Sequence, residues 1–206
     1  MLRAVYAARA RADWGGRIGA AGARSGAGIL RRMPPDPAPA VAPAEARDPA
    51  LPFEVRPSPI QGMGAFATRA IPAGTRVIEY AGERLTMAEA EARYPDVPGE
   101  RHHTFLFALE DVVDGVEVEV VVDAAVGGNA ARFLNHSCAP NCDVVVEDAR
   151  LWVDTLRDVA PGEELTYDYA FVLPERHTPA AKRRYPCACG APACRGTILV
   201  PKKARR

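Results

Sequence analysis

Residues 132–142 read RFLNHSCAPNC, and residues 187–194 read CACGAPAC. The three tail cysteines, Cys187, Cys189 and Cys194, fall one ligand short of the tetrahedral set that a structural zinc ion takes. The fourth must come from a distant part of the chain. If Cys138 supplies it, one metal ties the polar Asn135-His136 segment to the C-terminal tail, and a site is built from two remote stretches of sequence.

Working outward, the 206 residues with 48% hydrophobic content can bury one sizeable core, so a single domain with appendages is expected. Lys and Arg balance Asp and Glu at 26 each, and nothing global argues for nucleic acid or an anionic membrane. No apolar run approaches the roughly 20 residues of a membrane-spanning helix, and no signal-type apolar stretch follows the N-terminus. A soluble chain without membrane attachment is expected. Five cysteines with no export signal favour metal binding or free thiols over a disulfide framework.

Composition shifts near residue 50. Residues 1–50 are rich in Ala, Arg, Gly and Pro and end in PPDPAPAVAPAEARDPA, which has too few large apolar groups to offset the entropy of ordering. This segment is predicted to be disordered. Its opening carries several Arg with Asp13 as the acid, superficially like an organellar transit peptide. The same bias runs along the chain, however, so a GC-rich coding sequence with an over-extended start is the preferred reading.

From Leu51 onward short β-like runs alternate with turn residues. Strands are predicted at FEVRP, GAFATRA, RVIEYAG, TFLFALE, EVEVVVDA, CDVVVE, RLWVDTL and ELTYDY. Asp114-Gly115 signals a hairpin, and the Val116–Val120 alternation after it suits a half-buried strand. Pro72-Ala73-Gly74 and Pro161-Gly162 mark further turns. One short helix is predicted at MAEAEARY, where Thr86 and Glu89 have the spacing of a capping box. The fold class is mainly β with little helix, and no repeat of fixed period is present.

Four segments in order, GMGAFA, VIEYAGERL, RFLNHSCAPNC and GEELTYDY, followed by the tail cysteines and RGTI, resemble a SET domain with its post-SET zinc motif. The resemblance covers roughly residues 53 to 199. It implies a β-clip-like fold of small curved sheets with a C-terminal pseudoknot. It divides the chain into the disordered segment 1–50, a SET domain over 51–172, a post-SET zinc segment over 173–199 and a basic tail over 200–206. It further implies an S-adenosylmethionine-dependent protein-lysine N-methyltransferase, acting by in-line transfer to a neutral lysine amine.

The same resemblance assigns residues. Tyr169 takes the central catalytic place, with Tyr167 on the same strand face and Tyr80 lining the lysine channel. Tyr167 stands where related enzymes carry Phe or Tyr, and its hydroxyl is expected to restrict the product to monomethyl-lysine. Gly62, Met63, Gly64, Phe105, Arg132, Asn135, His136 and Tyr169 are the expected cofactor-binding residues, with Gly62 and Gly64 allowing close backbone approach. Met63 and Phe105 depart from residues that relatives often carry there. Cys138, Cys187, Cys189 and Cys194 are the expected structural zinc ligands, the alternative set using Cys142 or His136 in place of Cys138.

Two other classes are weighed against this reading: a non-catalytic SET-like protein-binding module, and a zinc-stapled nucleic-acid-associated protein prompted by PKKARR and the Arg-rich N-terminus. The presence of Tyr169, the Asn-His pair and the glycines favours the enzyme. A lysine-containing substrate is expected, a histone or another DNA-associated protein, acted on by a monomer. A bacterial source places the enzyme in the cytoplasm, with nucleoid association open to it; a eukaryotic source places it in the nucleus. Residues 83–104 point to no particular peptide. Glu100 and the acids of EDVVDGVEVE could attract a basic one, although exposed acids more often serve solvation.

Overall fold

The computed structural model describes residues 6–7, 48–95, 105–113, 116–173 and 176–201. Glu100 and the basic residues 202–206 lie outside them, as does most of residues 1–47. The strands are β1 (Tyr6–Ala7), β2 (Phe53–Pro57), β3 (Met63–Ala67), β4 (Arg76–Glu79), β5 (Glu83–Thr86), β6 (Leu106–Val113), β7 (Val116–Asp123), β8 (Asn135–His136), β9 (Cys142–Glu147), β10 (Arg150–Thr155) and β11 (Glu164–Tyr167). Two helices, α1 (Met87–Arg93) and α2 (Pro179–Arg184), and a 3-10 turn at Ala130–Phe133 complete the set. The mainly β expectation holds, with little helix.

The strands form three small sheets, ordered β1-β6-β7-β5, β4-β10-β9 and β2-β3-β11-β8. In β2, Phe53 and Val55 are buried while Glu54 and Arg56 are exposed, the alternation of a strand covered on one face. β3, paired on both edges between β2 and β11, is buried along its whole length. The β6–β7 ladder closes on Val113 opposite Val116, so the hairpin turns at the predicted Asp114-Gly115, itself outside the described residues. β1 pairs in parallel with Phe107 and Ala108.

α1 starts as its sequence requires. Thr86 Oγ1 accepts from the Glu89 N–H while the Glu89 carboxylate accepts from the Thr86 N–H, closing the predicted capping box. α2 was outside the sequence expectation. Its signal is Thr178 as N-cap, accepting from Ala181 N–H, with Pro179 in the first turn. It stops before Tyr185-Pro186, where the residue ahead of proline disfavours helix. β5 and β8 also went unread, being short and lacking a period; β5 is held by its ladder to β7.

The decisive pairing is parallel and only two residues long. Asn135 and His136 lie beside Thr166 and Tyr167, which brings RFLNHSC against ELTYDY. Buried Asn141 pins this seam: its Oδ1 accepts from Thr166 N–H at 2.8 Å and its Nδ2 donates to Glu164 O at 2.8 Å. The tail joins the same core, with Tyr185 and Leu199 clustered with Phe171, Leu173 and Tyr167. Among the described residues no helix is long and apolar enough to cross a membrane.

Asn141→Ala leaves the Thr166 N–H and Glu164 carbonyl without these partners. It is expected to lower the unfolding free energy by about 2 kcal/mol, the cost of stranding buried polar groups. Urea denaturation checks this; an unchanged midpoint would remove Asn141 from the account of the seam.

Candidate functional site

Five rings run in contact from one sheet to another. Tyr80 meets Phe107 at 5.1 Å between centroids, Phe107 meets Tyr167 at 6.0 Å, Tyr167 meets Tyr169 at 4.8 Å, and Tyr169 meets the His136 imidazole at 5.3 Å. Tyr80, Phe107 and Tyr167 are buried and Tyr169 is partly buried. The row is therefore an apolar wall carrying tyrosine hydroxyls. Tyr80 donates to Phe105 O and Tyr169 to Leu134 O, each at 3.1 Å. Burial pushes both phenols above their ordinary range.

The glycine segment is held by Asn135. Its Nδ2 donates to Met63 O at 3.0 Å, Gln61 O at 3.2 Å and Glu164 Oε1 at 2.7 Å, and Ser58 Oγ donates to the same carboxylate. A Cβ at Gly64 would collide with Glu164 and Ser58, so the close approach there is made by the protein's own carboxylate. Gly62 takes φ of +48° with open space where a Cβ would stand. Met63 is packed in the core, and its carbonyl is its contribution to the cradle. Nearby, the Arg132 guanidinium lies 5.8 Å from the Phe105 ring and 4.8 Å from Phe133, and donates to Ala124 O.

His136 links this region to the cysteines. Its Nδ1 accepts from Tyr169 N–H at 3.1 Å, so the ring proton sits on Nε2, which faces Cys138 Sγ at 3.4 Å. Burial outweighs the Asp168 charge, which raises the imidazole pKa, and with the Arg195 charge brings it down to about 4, so the ring is neutral near pH 7.

The sulfurs of Cys138, Cys187, Cys189 and Cys194 all lie within 4.8 Å of one another. Cys138 Sγ stands 3.7 Å from Cys187 Sγ and 4.0 Å from Cys194 Sγ. Tetrahedral zinc with bonds of about 2.3 Å requires sulfur separations of about 3.8 Å. Main-chain N–H groups also point at the sulfurs: Arg195 N at Cys138, Cys138 N at Cys189, Cys189 N at Cys187 and Gly196 N at Cys194. Burial raises the Cys189 thiol, but the N–H groups of Cys138 and Ala191 outweigh it and bring it to about 6, while burial pushes Cys187 far up. Four sulfurs this close cannot all ionise without a cation among them. Cys142 is buried in the core, where burial raises its thiol to about 12, and it takes no part in the cluster.

The tail is clamped a second time. Arg195, next to Cys194, grips Asp168 through two bonds of 2.6 and 2.9 Å, and Asp168 stands between Tyr167 and Tyr169. Burial favours the neutral acid, yet the Arg195 fork and the Ala170 N–H hold the Asp168 carboxyl below the usual range.

The structure thus gathers Tyr80, Tyr167, Tyr169 and His136 into one row, Gly62, Met63, Gly64 and Asn135 into one cradle, and Cys138 with the three tail cysteines into one cluster. β11 ends at Tyr167, so Tyr169 reaches its neighbour from a turn beyond the strand. Phe107, Glu164, Ser58 and the Asp168–Arg195 pair went unread. Phe107 looked like any strand aromatic, whereas Asp168 carries a local sign, a charge placed between two aromatics.

A family profile described as SET domain matches residues 62–170. The chain is 42% identical over 144 residues to histone-lysine N-methyltransferase trithorax of Drosophila virilis, covering 67% of this chain and 3% of that protein. It is 40% identical over 149 residues to the H3 lysine-4 specific histone-lysine N-methyltransferase of Schizosaccharomyces pombe, covering 69% of this chain and 14% of that one. Among solved structures, the methyltransferase domain of human histone-lysine N-methyltransferase SETMAR matches with a TM-score of 0.56 at 28% identity, over 71% of this chain and 57% of that chain. The chain therefore spans a small part of the length of these two curated relatives.

Elemental analysis of the purified chain is expected to give one zinc per molecule. Cys138→Ser or Cys187→Ser should remove it and lower Tm, because ligand binding is folding free energy here, whereas Cys142→Ser should keep it. Retention of zinc by Cys138→Ser would break the assignment.

Proposed function

Because the chain belongs to the SET domain family, we propose that it is a protein-lysine N-methyltransferase that uses S-adenosylmethionine and acts on a histone or another basic, DNA-associated protein. The observation that carries this reading is the row of Tyr80, Phe107, Tyr167 and Tyr169 ending on His136, beside the Asn135–glycine cradle. S-adenosylmethionine would be held by the Gly62–Gly64 backbone, Asn135, His136 and the Phe105–Arg132 stack, and would supply an electrophilic methyl group.

The chain's own residues then have three tasks. The aromatic row buries the lysine stem, with each methylene out of water contributing about 0.8 kcal/mol. Burial in such a channel disfavours the ammonium, so the amine, at about 10.4 when free, is shifted toward its neutral form. The phenols, pushed above their ordinary range, stay protonated and are poor bases near neutral pH. Tyr169 donates its proton to Leu134 O, which leaves its oxygen lone pairs to accept from an amine N–H. An amine held through its N–H bonds presents its own lone pair along a fixed line, and orientation of this kind supplies much of the rate.

Tyr167 lies 4.8 Å from Tyr169 between ring centroids, and its hydroxyl would narrow the space around an amine held by Tyr169, which supports a preference for one methyl group. Zinc at the four cysteines would be structural, since four thiolates leave no open position. The reading takes the enzyme as a monomer, nuclear in a eukaryotic cell and cytoplasmic or nucleoid-associated in a bacterial one.

Incubation with labelled S-adenosylmethionine and cell extract tests the assignment: labelled bands should appear with wild type and be lost with Tyr169→Phe, whose kcat should fall about 100-fold, as for loss of one site hydrogen bond. Equal labelling by both would refute it. Mass spectrometry of Tyr167→Phe product should show added di- and trimethyl-lysine. The single-turnover rate of wild type should climb with pH as the amine loses its proton, with no fall near pH 10, because both phenols titrate above that range. A decline there would show a phenol ionising early.

A further inference from the structure

Charge is divided unevenly along the chain. Residues 176–206 hold nine Lys and Arg and no Asp or Glu, leaving 17 Lys and Arg against all 26 acids in the residues before them. On the body, five of the eight described arginines are matched to carboxylates: Arg56 to Glu54, Arg76 to Glu147 and Asp154, Arg93 to Glu83 and Asp123, Arg150 to Glu79, and Arg157 to Glu163. Arg176, Lys182 and Arg183 are exposed and pair with no carboxylate among the described residues. Arg176 and Lys182 line, with His177 and Arg195, a cleft of about 430 Å³ that no acidic residue lines. Arg195 is already neutralised by Asp168, and Arg183 sits in the last turn of α2 beside Lys182.

We propose that this face, formed by α2 and the cleft against the cysteine-bearing tail, binds the phosphate backbone of duplex nucleic acid without sequence preference. The helix dipole accounts for cations in the last turn of α2. It does not account for the missing acids across the whole segment. Duplex DNA presents one negative charge per about 1.7 Å of axis, and a set of unmatched cations gains affinity there by releasing condensed counterions. An acidic peptide is the lesser fit, because the cations spread from the cleft along α2 and recur in PKKARR at 201–206 rather than converging on one carboxylate. The inference rests on this charge division and not on the enzyme reading.

The experiment is fluorescence anisotropy of the full-length, zinc-loaded chain with a short labelled duplex of arbitrary sequence, at salt from about 50 to 200 mM. Wild type is compared with the triple variant Arg176→Gln, Lys182→Gln, Arg183→Gln. The variant should bind about tenfold more weakly at low salt, and its log K against log salt slope should flatten by about 0.9 for each phosphate that is no longer neutralised. Equal affinity and slope in the two proteins would overturn the proposal. So would tighter binding of polyglutamate than of the duplex, which would make the face a site for acidic protein. Methyl transfer to an isolated peptide, read on the same preparations, should be unchanged by the triple variant. Absence of methyl transfer in wild type and variant alike would count against the enzyme reading and leave the docking result standing.

Discussion

One buried imidazole joins the two halves of the site. His136 cannot leave either ring nitrogen unmatched in a core position: Nδ1 accepts from Tyr169 N–H, with Asp168 Oδ1 3.5 Å away, and Nε2 faces Cys138 Sγ. The first bond fixes the tautomer of the second. With Nδ1 occupied as an acceptor, Nε2 must carry the proton, and that proton can only face the sulfur. The central tyrosine is consequently placed by its backbone against the cysteine cluster, through a ring whose low pKa keeps it neutral. The two-residue ladder of β8 on β11 makes this possible by setting Asn135 and His136 beside Thr166 and Tyr167.

Around that ring the tail is tied down by interactions of different kinds. The cysteines supply a point that a metal can close, the Arg195 fork reaches Asp168 between the tyrosines, and Phe171 packs on Tyr185 at 5.0 Å. Val200 N–H adds a main-chain bond to Phe171 O. A short tail with few apolar residues could not hold its place by burial alone; the charge-assisted fork offsets part of the entropy of ordering it, and a metal held by the cysteines would offset more. The cost of this design is dependence: the row of rings stays aligned while the tail stays docked.

Much of this was legible from the chain. Eight predicted strands fall on β2, β3, β4, β6, β7, β9, β10 and β11, because each has either period-2 burial or β-branched residues between turn signals. Thr86 and Glu89 announced α1 for a local reason, a reciprocal pair of bonds three residues apart. β5 and β8 were hidden because their stability comes from partners far away in sequence, which no local window contains. The cysteine grouping could be read because zinc demands four ligands and the tail offers three. Gly62, Met63, Gly64 and Asn135 were grouped by the resemblance, but the part that Glu164 and Ser58 play in their cradle could not be read, since these side chains meet Asn135 only after β2, β3, β11 and β8 have assembled.

Gly64 shows how the resemblance and the physics divide the work. A glycine there suggests room for a ligand, but the space is taken by Glu164, whose carboxylate accepts from both Asn135 and Ser58. The absent Cβ thus serves the cofactor region indirectly, by letting a buried-side carboxylate reach the amide that holds Met63 and Gln61 carbonyls. A larger side chain would displace Glu164 first, then free the Asn135 amide, and only then disturb the backbone at Gly62. The same Asn135 is one residue from His136, so the displacement would travel along β8 to Tyr169 and the cysteines. The Asn135 cradle, the end of the aromatic row and the cysteine cluster are in this sense joined by one run of hydrogen bonds through β8, and any coupling between ligands bound at two of these places would be equal in both directions.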